Sequence, residues 1–381
     1  MTRQHPAGLA LTGNGGQPIF GLTSAARLQR LFARAGVEKT ITPQQAGNST
    51  DPLIIARADA VIDPPLVDVI VERPGLVLLD SDAGIPLIVH APAGQAKAAL
   101  DILSGAPIPD GFSAHKPDEL GIHYWKALRK REAPSALILR PQNRTQVEWR
   151  IFMGTYKGVT DVITRHVWPR PAFHVTRWLA GTPVTPNMVT ALSALFVLAA
   201  FWLFWQGEYG WGLVCAWLMT FLDTVDGKLA RTTLTSSAWG NVFDHGIDLI
   251  HPPFWYVAWG MGLQRAGHPL DARTWWIAIW VIIAGYVLQR VMEGIALGAL
   301  KLDIHTWRPI DSFFRKITAR RNPNLVILTL FALVERPDIG LLAVAAWTAI
   351  CLILHAVQIV QALGHKRRAG QLVSWMEKEE T

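Results

Sequence analysis

Asp223-Thr-Val-Asp226-Gly227-Lys-Leu-Ala230-Arg231, followed eight residues later by Gly240-Asn-Val-Phe-Asp244-His-Gly-Ile-Asp248, decides how this chain is read. At 3.6 residues per turn, positions 223, 226, 227 and 230 lie within roughly 100° of one helical face. Positions 240, 244 and 248 share a face of the next helix, one turn apart. The short link between the two stretches predicts antiparallel neighbours, with four carboxylates meeting at one end of the pair.

On either side of this stretch the sequence is apolar. Six runs, near 188–206, 209–225, 241–263, 275–299, 324–336 and 339–363, read as membrane spans, although the fifth is short for a hydrocarbon core that takes about 20 residues to cross. Lysine and arginine set the orientation. Segments 165–187, 228–239, 301–321 and 364–381 hold 3, 2, 6 and 4 of them; the opposite loops hold Arg265, Arg273 and Arg336. That bias predicts both termini in the cytoplasm.

Composition divides the chain the same way. Residues 1–150 carry 16 Lys/Arg, 14 Asp/Glu and two of the 17 Trp; the remainder carries 20, 15 and 15. Indole rings suit the membrane–water interface, so the first part reads as soluble and the second as embedded. The net charge of +7 points to anionic lipid rather than nucleic acid, because most of the excess lies in the apolar half. Cys215 and Cys351 both fall in apolar runs, which argues against a disulfide framework or a zinc site. No basic segment followed by an apolar core opens the chain, so no cleavable signal peptide is expected.

Four clustered carboxylates repel one another and are costly to desolvate. A divalent cation resolves both problems, and oxygen-only ligands suit Mg²⁺ or Mn²⁺ better than zinc. Open positions on such an ion invite a diphosphate. Gly227, Ala230 and Gly240 leave that face without bulk, and Arg231 offers a forked donor to a phosphate.

The pattern D-x2-D-G-x2-A-R-x8-G-x3-D-x3-D resembles the signature of the CDP-alcohol phosphotransferase family, and every fixed position matches. The resemblance covers residues 150–365 and implies an α-helical integral membrane bundle of six transmembrane helices. It implies transfer of a substituted phosphate from a CDP-alcohol, such as CDP-diacylglycerol, to an acceptor hydroxyl, with release of CMP, in phospholipid synthesis. Carried onto matching positions, Asp223, Asp226 and Asp244 bind the metal, and Asp248 shares a second ion and acts as general base. Gly227, Ala230, Arg231 and Gly240 form part of the cytidine diphosphate site. Thr185-Pro186-Asn187-Met-Val-Thr190 resembles the segment opening the family's first span, which makes Asn187 a candidate nucleotide contact. Pairing into a homodimer is a familial expectation. A bacterial inner membrane is the expected location.

Other readings weigh against these. The intramembrane aspartates suit an ion relay in a transporter, but a relay does not require these glycines at these spacings. His245 and His251 read as polar packing residues. Arg290 and Glu293, three apart, read equally as a mutual pair or as acceptor-binding groups. Arg315, Lys316, Arg320 and Arg321 read chiefly as a positive-inside anchor, with binding of a phosphate on the acceptor or lipid by one or two of them as the alternative.

Leu53–Ala56, Leu76–Asp80 and Pro86–His90 read as strands; Ala25–Ala35 and Asp118–Glu132 read as helices. This alternation predicts a soluble cytoplasmic α/β domain over 1–140. A connector and amphipathic juxtamembrane segment, broken by Pro169 and Pro171, follow over 141–187. The bundle then takes 188–365 and a cytoplasmic tail 366–381. Pro18 to Val37, ending in Ala-Gly-Val, resembles the second element of sugar-phosphate nucleotidyltransferases, and Asp59 stands where that family has a metal-binding aspartate. The loop Leu11-Thr-Gly-Asn-Gly-Gly16 lacks the basic residue that follows it there, so a degenerate domain is expected. The alternative is a bifunctional cytidylyltransferase and CDP-inositol-dependent phosphotransferase.

Overall fold

A computed structural model describes residues 5–377, the side chains of Asn241 and Asp244 excepted. The chain divides into two compact units. One runs to Tyr156 and adds Ala180–Thr182 and Arg231–Leu234; the other takes Lys157–Leu179, Pro183–Ala230 and the chain from Thr235.

The first unit is built on a six-stranded sheet in the order Thr40–Ile41, Leu9–Thr12, Leu53–Arg57, Pro86–Ala91, Leu76–Leu79, Ser113–His115. Leu9–Thr12 runs parallel to both of its neighbours, while Pro86–Ala91 is antiparallel to the strands on either side. The unbroken apolar run Leu53-Ile-Ile-Ala56 is explained by cover on both faces. Ile54 and Ala56 pack with Leu28 and Phe32 of the helix Ser24–Arg34, and Leu53 and Ile55 pack with Ala99 and Ile102 of the helix Ala96–Leu103. Thr23 caps the first of these helices, its side chain accepting from the Ala26 amide. Leu234 joins the same core. The carbonyls of Thr232, Thr233 and Leu234 accept from Arg27, Arg30 and Arg34 at 2.6, 3.0 and 2.7 Å.

Three expectations for this unit are corrected. No helix spans Asp118–Glu132. A 3-10 turn at Pro117–Leu120 ends at Gly121 with φ 73°, and Tyr124–Trp125 then pairs antiparallel with Lys130–Arg131. The polar connector contains a buried strand, Ala136–Ile138, paired with Ala60–Ile62. The helix Arg144–Gly154 belongs to the α/β unit, where Val147, Ile151 and Phe152 are buried, and not to a juxtamembrane layer.

The second unit is helical. Val162–His166 and Pro169–Leu179 precede Pro186–Gln206, Tyr209–Thr232, Ala238–Gly262, Ala272–Ile295, Arg321–Leu333 and Pro337–Ala369. The break between the first two of these helices falls just before Pro169, which opens the second, a position where its missing N–H costs nothing. Three helices among the described residues are long and apolar enough to cross a membrane: Pro186–Gln206, Ala272–Leu300 and Pro337–Ala369. The core is aromatic. Phe204, Tyr209, Trp255 and Trp259 interlock, and their polar tips are satisfied by main-chain carbonyls, Tyr209 to Trp259 at 2.7 Å and Trp255 to Val197 at 3.0 Å. A Cβ at Gly262 would stand 2.0 Å from the Phe204 carbonyl, so glycine sets the approach of helices 186–206 and 238–262.

Candidate active site

Two consecutive helices carry the signature. Asp223, Asp226, Gly227 and Ala230 lie on 209–232; Gly240, Asp244 and Asp248 lie on 238–262. The second helix starts where Ser237 accepts from the Gly240 amide at 3.0 Å, which fixes the phase of the aspartates that follow.

The carboxylates of the two helices meet on one cation. Arg321, the first residue of helix 321–333, donates through Nη2 to Asp223 Oδ2 at 2.6 Å and through Nη1 to Asp248 Oδ1. Asp226 is 3% exposed. Its Oδ2 accepts from Thr190 Oγ1 at 2.5 Å, a contact from helix 186–206, and its Oδ1 is buried with no hydrogen-bond partner among the described residues. A buried carboxylate oxygen without a donor is costly. That orphan, in an all-oxygen donor set of clustered aspartates, fits a hard divalent cation. The side chain of Asp244 lies outside the described residues.

Asn187 is exposed on the first turn of helix 186–206, which Thr185 caps by accepting from the Met188 amide. A Cβ on Gly240 would stand 3.1 Å from Asn187 Oδ1, so these two nucleotide-site candidates adjoin. Arg231 is half-buried and belongs to the segment grouped with the α/β unit. His251 donates Nδ1–H to the Ile247 carbonyl at 2.7 Å and meets Trp255 edge to face, the behaviour of a packing residue.

Sequence reasoning missed Arg321, which it counted among the basic anchors, and the role of Thr190. It also missed how much gathers around Glu293. Arg290 pairs with Glu293 at 3.0 Å, as the spacing allowed, and Arg320 and His305 join the same carboxylate from elsewhere in the fold. His305 in turn packs edge to face with His355, 5.2 Å between centroids. Glu293, His305 and His355 offer ligand atoms within 4.8 Å of one another. Two guanidiniums on the one carboxylate disfavour a metal there. Arg290 also lies over the ring of Tyr286, whose hydroxyl donates to the Leu249 carbonyl, next to Asp248 in sequence. An apolar trough of about 980 Å³ runs along helix 209–232, lined by Trp168, Leu213, Val214, Trp217, Phe221 and Leu333 among others.

Residues 183–319 match the family model described as CDP-alcohol phosphatidyltransferase, and that stretch of the chain is a domain of this family. The bifunctional IPC transferase and DIPP synthase of Rubrobacter xylanophilus is 29% identical over 219 residues, 56% of this chain and 46% of that protein. The phosphatidylinositol phosphate synthase of Streptomyces avermitilis is 35% identical over 88 residues, 23% of this chain and 34% of that protein. The chain thus matches less than half the length of either. A solved phosphatidylinositol phosphate synthase from Mycobacterium tuberculosis is 20% identical, with a TM-score of 0.37, and the match covers 55% of this chain and 100% of that one.

Proposed function

We propose that this protein transfers a substituted phosphate from a CDP-alcohol to the hydroxyl of a polar acceptor, releasing CMP, as a step in phospholipid synthesis. The observation that carries this reading is the meeting of Asp223 and Asp248, from separate helices, on one guanidinium, beside the buried orphan oxygen of Asp226. Mg²⁺ or Mn²⁺ held by Asp223, Asp226 and Asp244, with Asp248 at its edge, would offset charge on the diphosphate and on the departing CMP. Asp248, whose side chain is 39% exposed, takes the proton from the acceptor hydroxyl. The acceptor oxygen then bonds to the phosphorus distal to cytidine. The bond from that phosphorus to the bridging oxygen breaks, and the oxygen leaves on CMP. Gly227, Ala230 and Gly240 admit the nucleotide close to the backbone, with Asn187 beside Gly240 and Arg231 on the diphosphate.

The apolar trough beside Phe221, two residues before Asp223, favours a lipid donor such as CDP-diacylglycerol. The Arg290, Glu293 and Arg320 cluster favours a charged or polyhydroxylated acceptor, a polyol phosphate above all. Six spans with both termini in the cytoplasm of a bacterial inner membrane remain the preferred topology, supported by the distribution of lysine and arginine.

The α/β unit is read as non-catalytic. Ser24 Oγ lies 3.1 Å from the Gly15 carbonyl and 2.7 Å from that of Ala58, and a Cβ on Gly15 would stand 2.4 Å from the Ala58 oxygen. Gly15 is thus packed against Ala58, so one glycine of the loop is spent on internal packing. Arg57 also forks both oxygens of Asp59, at 3.0 and 2.8 Å. A bifunctional protein that makes its own CDP-alcohol is the second reading, favoured by the two activities in the name of the Rubrobacter relative.

The test is CMP release by the purified protein with Mg²⁺ or Mn²⁺. CDP-diacylglycerol and CDP-inositol are each supplied with a panel of polyols and polyol phosphates. Metal-dependent release needing one donor and one acceptor is expected. Absence of release with every pair, alongside ion flux in proteoliposomes, would instead mark a transporter. Pyrophosphate release from CTP and a polyol phosphate would establish the bifunctional reading.

A further inference from the structure

The geometry points to Arg321 as the resident counter-charge of the signature carboxylates, which a divalent cation must displace in order to bind. This inference rests on the metal-site reading above and adds a residue to it, two positions beyond the segment that matches the family.

Three observations carry it. The first is the use made of the guanidinium. Nη2 goes to Asp223, Nη1 to Asp248 and to Met219 Sδ at 3.5 Å, and Nε to Asn322 Oδ1 at 3.3 Å, so each nitrogen is engaged. The second is burial. A residue serving as a membrane-surface anchor holds its charge in water, whereas the Arg321 side chain is 14% exposed and turned onto two helices. The third is position. Arg321 opens a helix, where the unsatisfied N–H groups repel positive charge. Acidic partners supply the compensation, so the contact with Asp223 and Asp248 is what keeps the guanidinium there.

The consequence follows from Coulomb's law and linkage. Clustered aspartates repel, and one buried guanidinium shared between two of them offsets much of that cost. A divalent cation that takes these same two oxygens, Asp223 Oδ2 and Asp248 Oδ1, exchanges with Arg321. The observed metal affinity is then the intrinsic affinity reduced by the free energy of breaking two charge-assisted hydrogen bonds. The guanidinium that is released lies beside the cation with its charge unpaired, where a diphosphate would next arrive. The opposite role is a clamp that holds both carboxylates in place for the ion, in which case Arg321 and the metal bind together.

Mn²⁺ binding to the full-length protein in detergent, followed through the electron paramagnetic resonance signal of free Mn²⁺, separates these roles without requiring turnover. Arg321→Gln is expected to bind Mn²⁺ at least about tenfold more tightly than the parent, with Arg321→Lys in between. Equal or weaker binding by both variants, with the parent binding normally, would overturn the exchange and leave the metal site standing. A parent that binds no more Mn²⁺ than Asp223→Asn would instead remove the metal site, and this inference with it. If Arg321→Gln does not fold, phenylglyoxal labelling of the parent, read by mass spectrometry of the peptide containing Arg321, gives the answer. Labelling that rises several-fold with Mn²⁺ supports displacement, and labelling that stays flat or falls contradicts it.

Discussion

Each unit of the molecule sets an arginine against aspartate, and the two do so differently. In the α/β unit Arg57 forks Asp59 from two residues away, giving one nitrogen to each carboxylate oxygen. In the helical unit Arg321 reaches Asp223 and Asp248, 98 and 73 residues distant, and gives each a single nitrogen. The local fork gives its carboxylate a full counter-charge of its own. The distant one divides a single charge between two helices. An aspartate at a motif position is therefore informative only once its partner is known.

The largest expected effect tests that contrast directly. Asp223→Asn should lower CMP release by at least about 10²–10³-fold, because it removes charge from the centre where the leaving group develops its own. Asp59→Asn should change it less than about twofold under the same assay. Comparable losses in both would mean that the α/β unit takes part in the chemistry. An intermediate effect is expected at Thr190, which supports the buried carboxylate from a third helix. Thr190→Val should weaken Mn²⁺ binding about tenfold, in the range for partners of metal-ligating groups. Unchanged affinity would place Asp226 outside the coordination sphere. The smallest effect belongs to the local fork. Arg57→Met should alter the unfolding free energy by about 0–1 kcal/mol, as is typical of ion pairs near the surface. It should not create pyrophosphate release from CTP, because the loop at Gly15 stays packed on Ala58. Appearance of that activity would show that Arg57 alone had silenced the domain.

The signature was legible because helical periodicity is local: spacing alone brings 223 to 226, and 240 to 248, onto common faces. The helices of the second unit lie where the apolar runs fell for the same reason. Arg321 was not legible. In sequence it belongs to a basic pair just before the fifth apolar run, and only the fold turns it inward. Glu293 was half legible, since Arg290 is one helical turn away, while Arg320 and His305 arrive from other segments. In the α/β unit the expected helix over 118–132 failed because Gly121 adopts a left-handed conformation that ends the turn. Ala136–Ile138 went unrecognised because a run of four apolar residues between Pro134 and Pro141 signals a strand only once the partner at Ala60–Ile62 is known. Span number was limited in a similar way. Helices 209–232 and 238–262 carry the charged signature, which depresses their hydropathy, and helix 321–333 has only 13 residues.

Leu234 has a consequence for how this protein can be taken apart. A gene cut after codon 156 would look like a clean separation of two modules. The α/β core would lose a leucine that is 7% exposed, and Arg27, Arg30 and Arg34 would lose the carbonyls that receive them. The α/β unit is discontinuous in the sequence, completed by Ala180–Thr182 and by a segment encoded some 75 residues after Tyr156. The soluble piece made alone would be short of Arg231–Leu234, the segment that supplies Leu234 to its core.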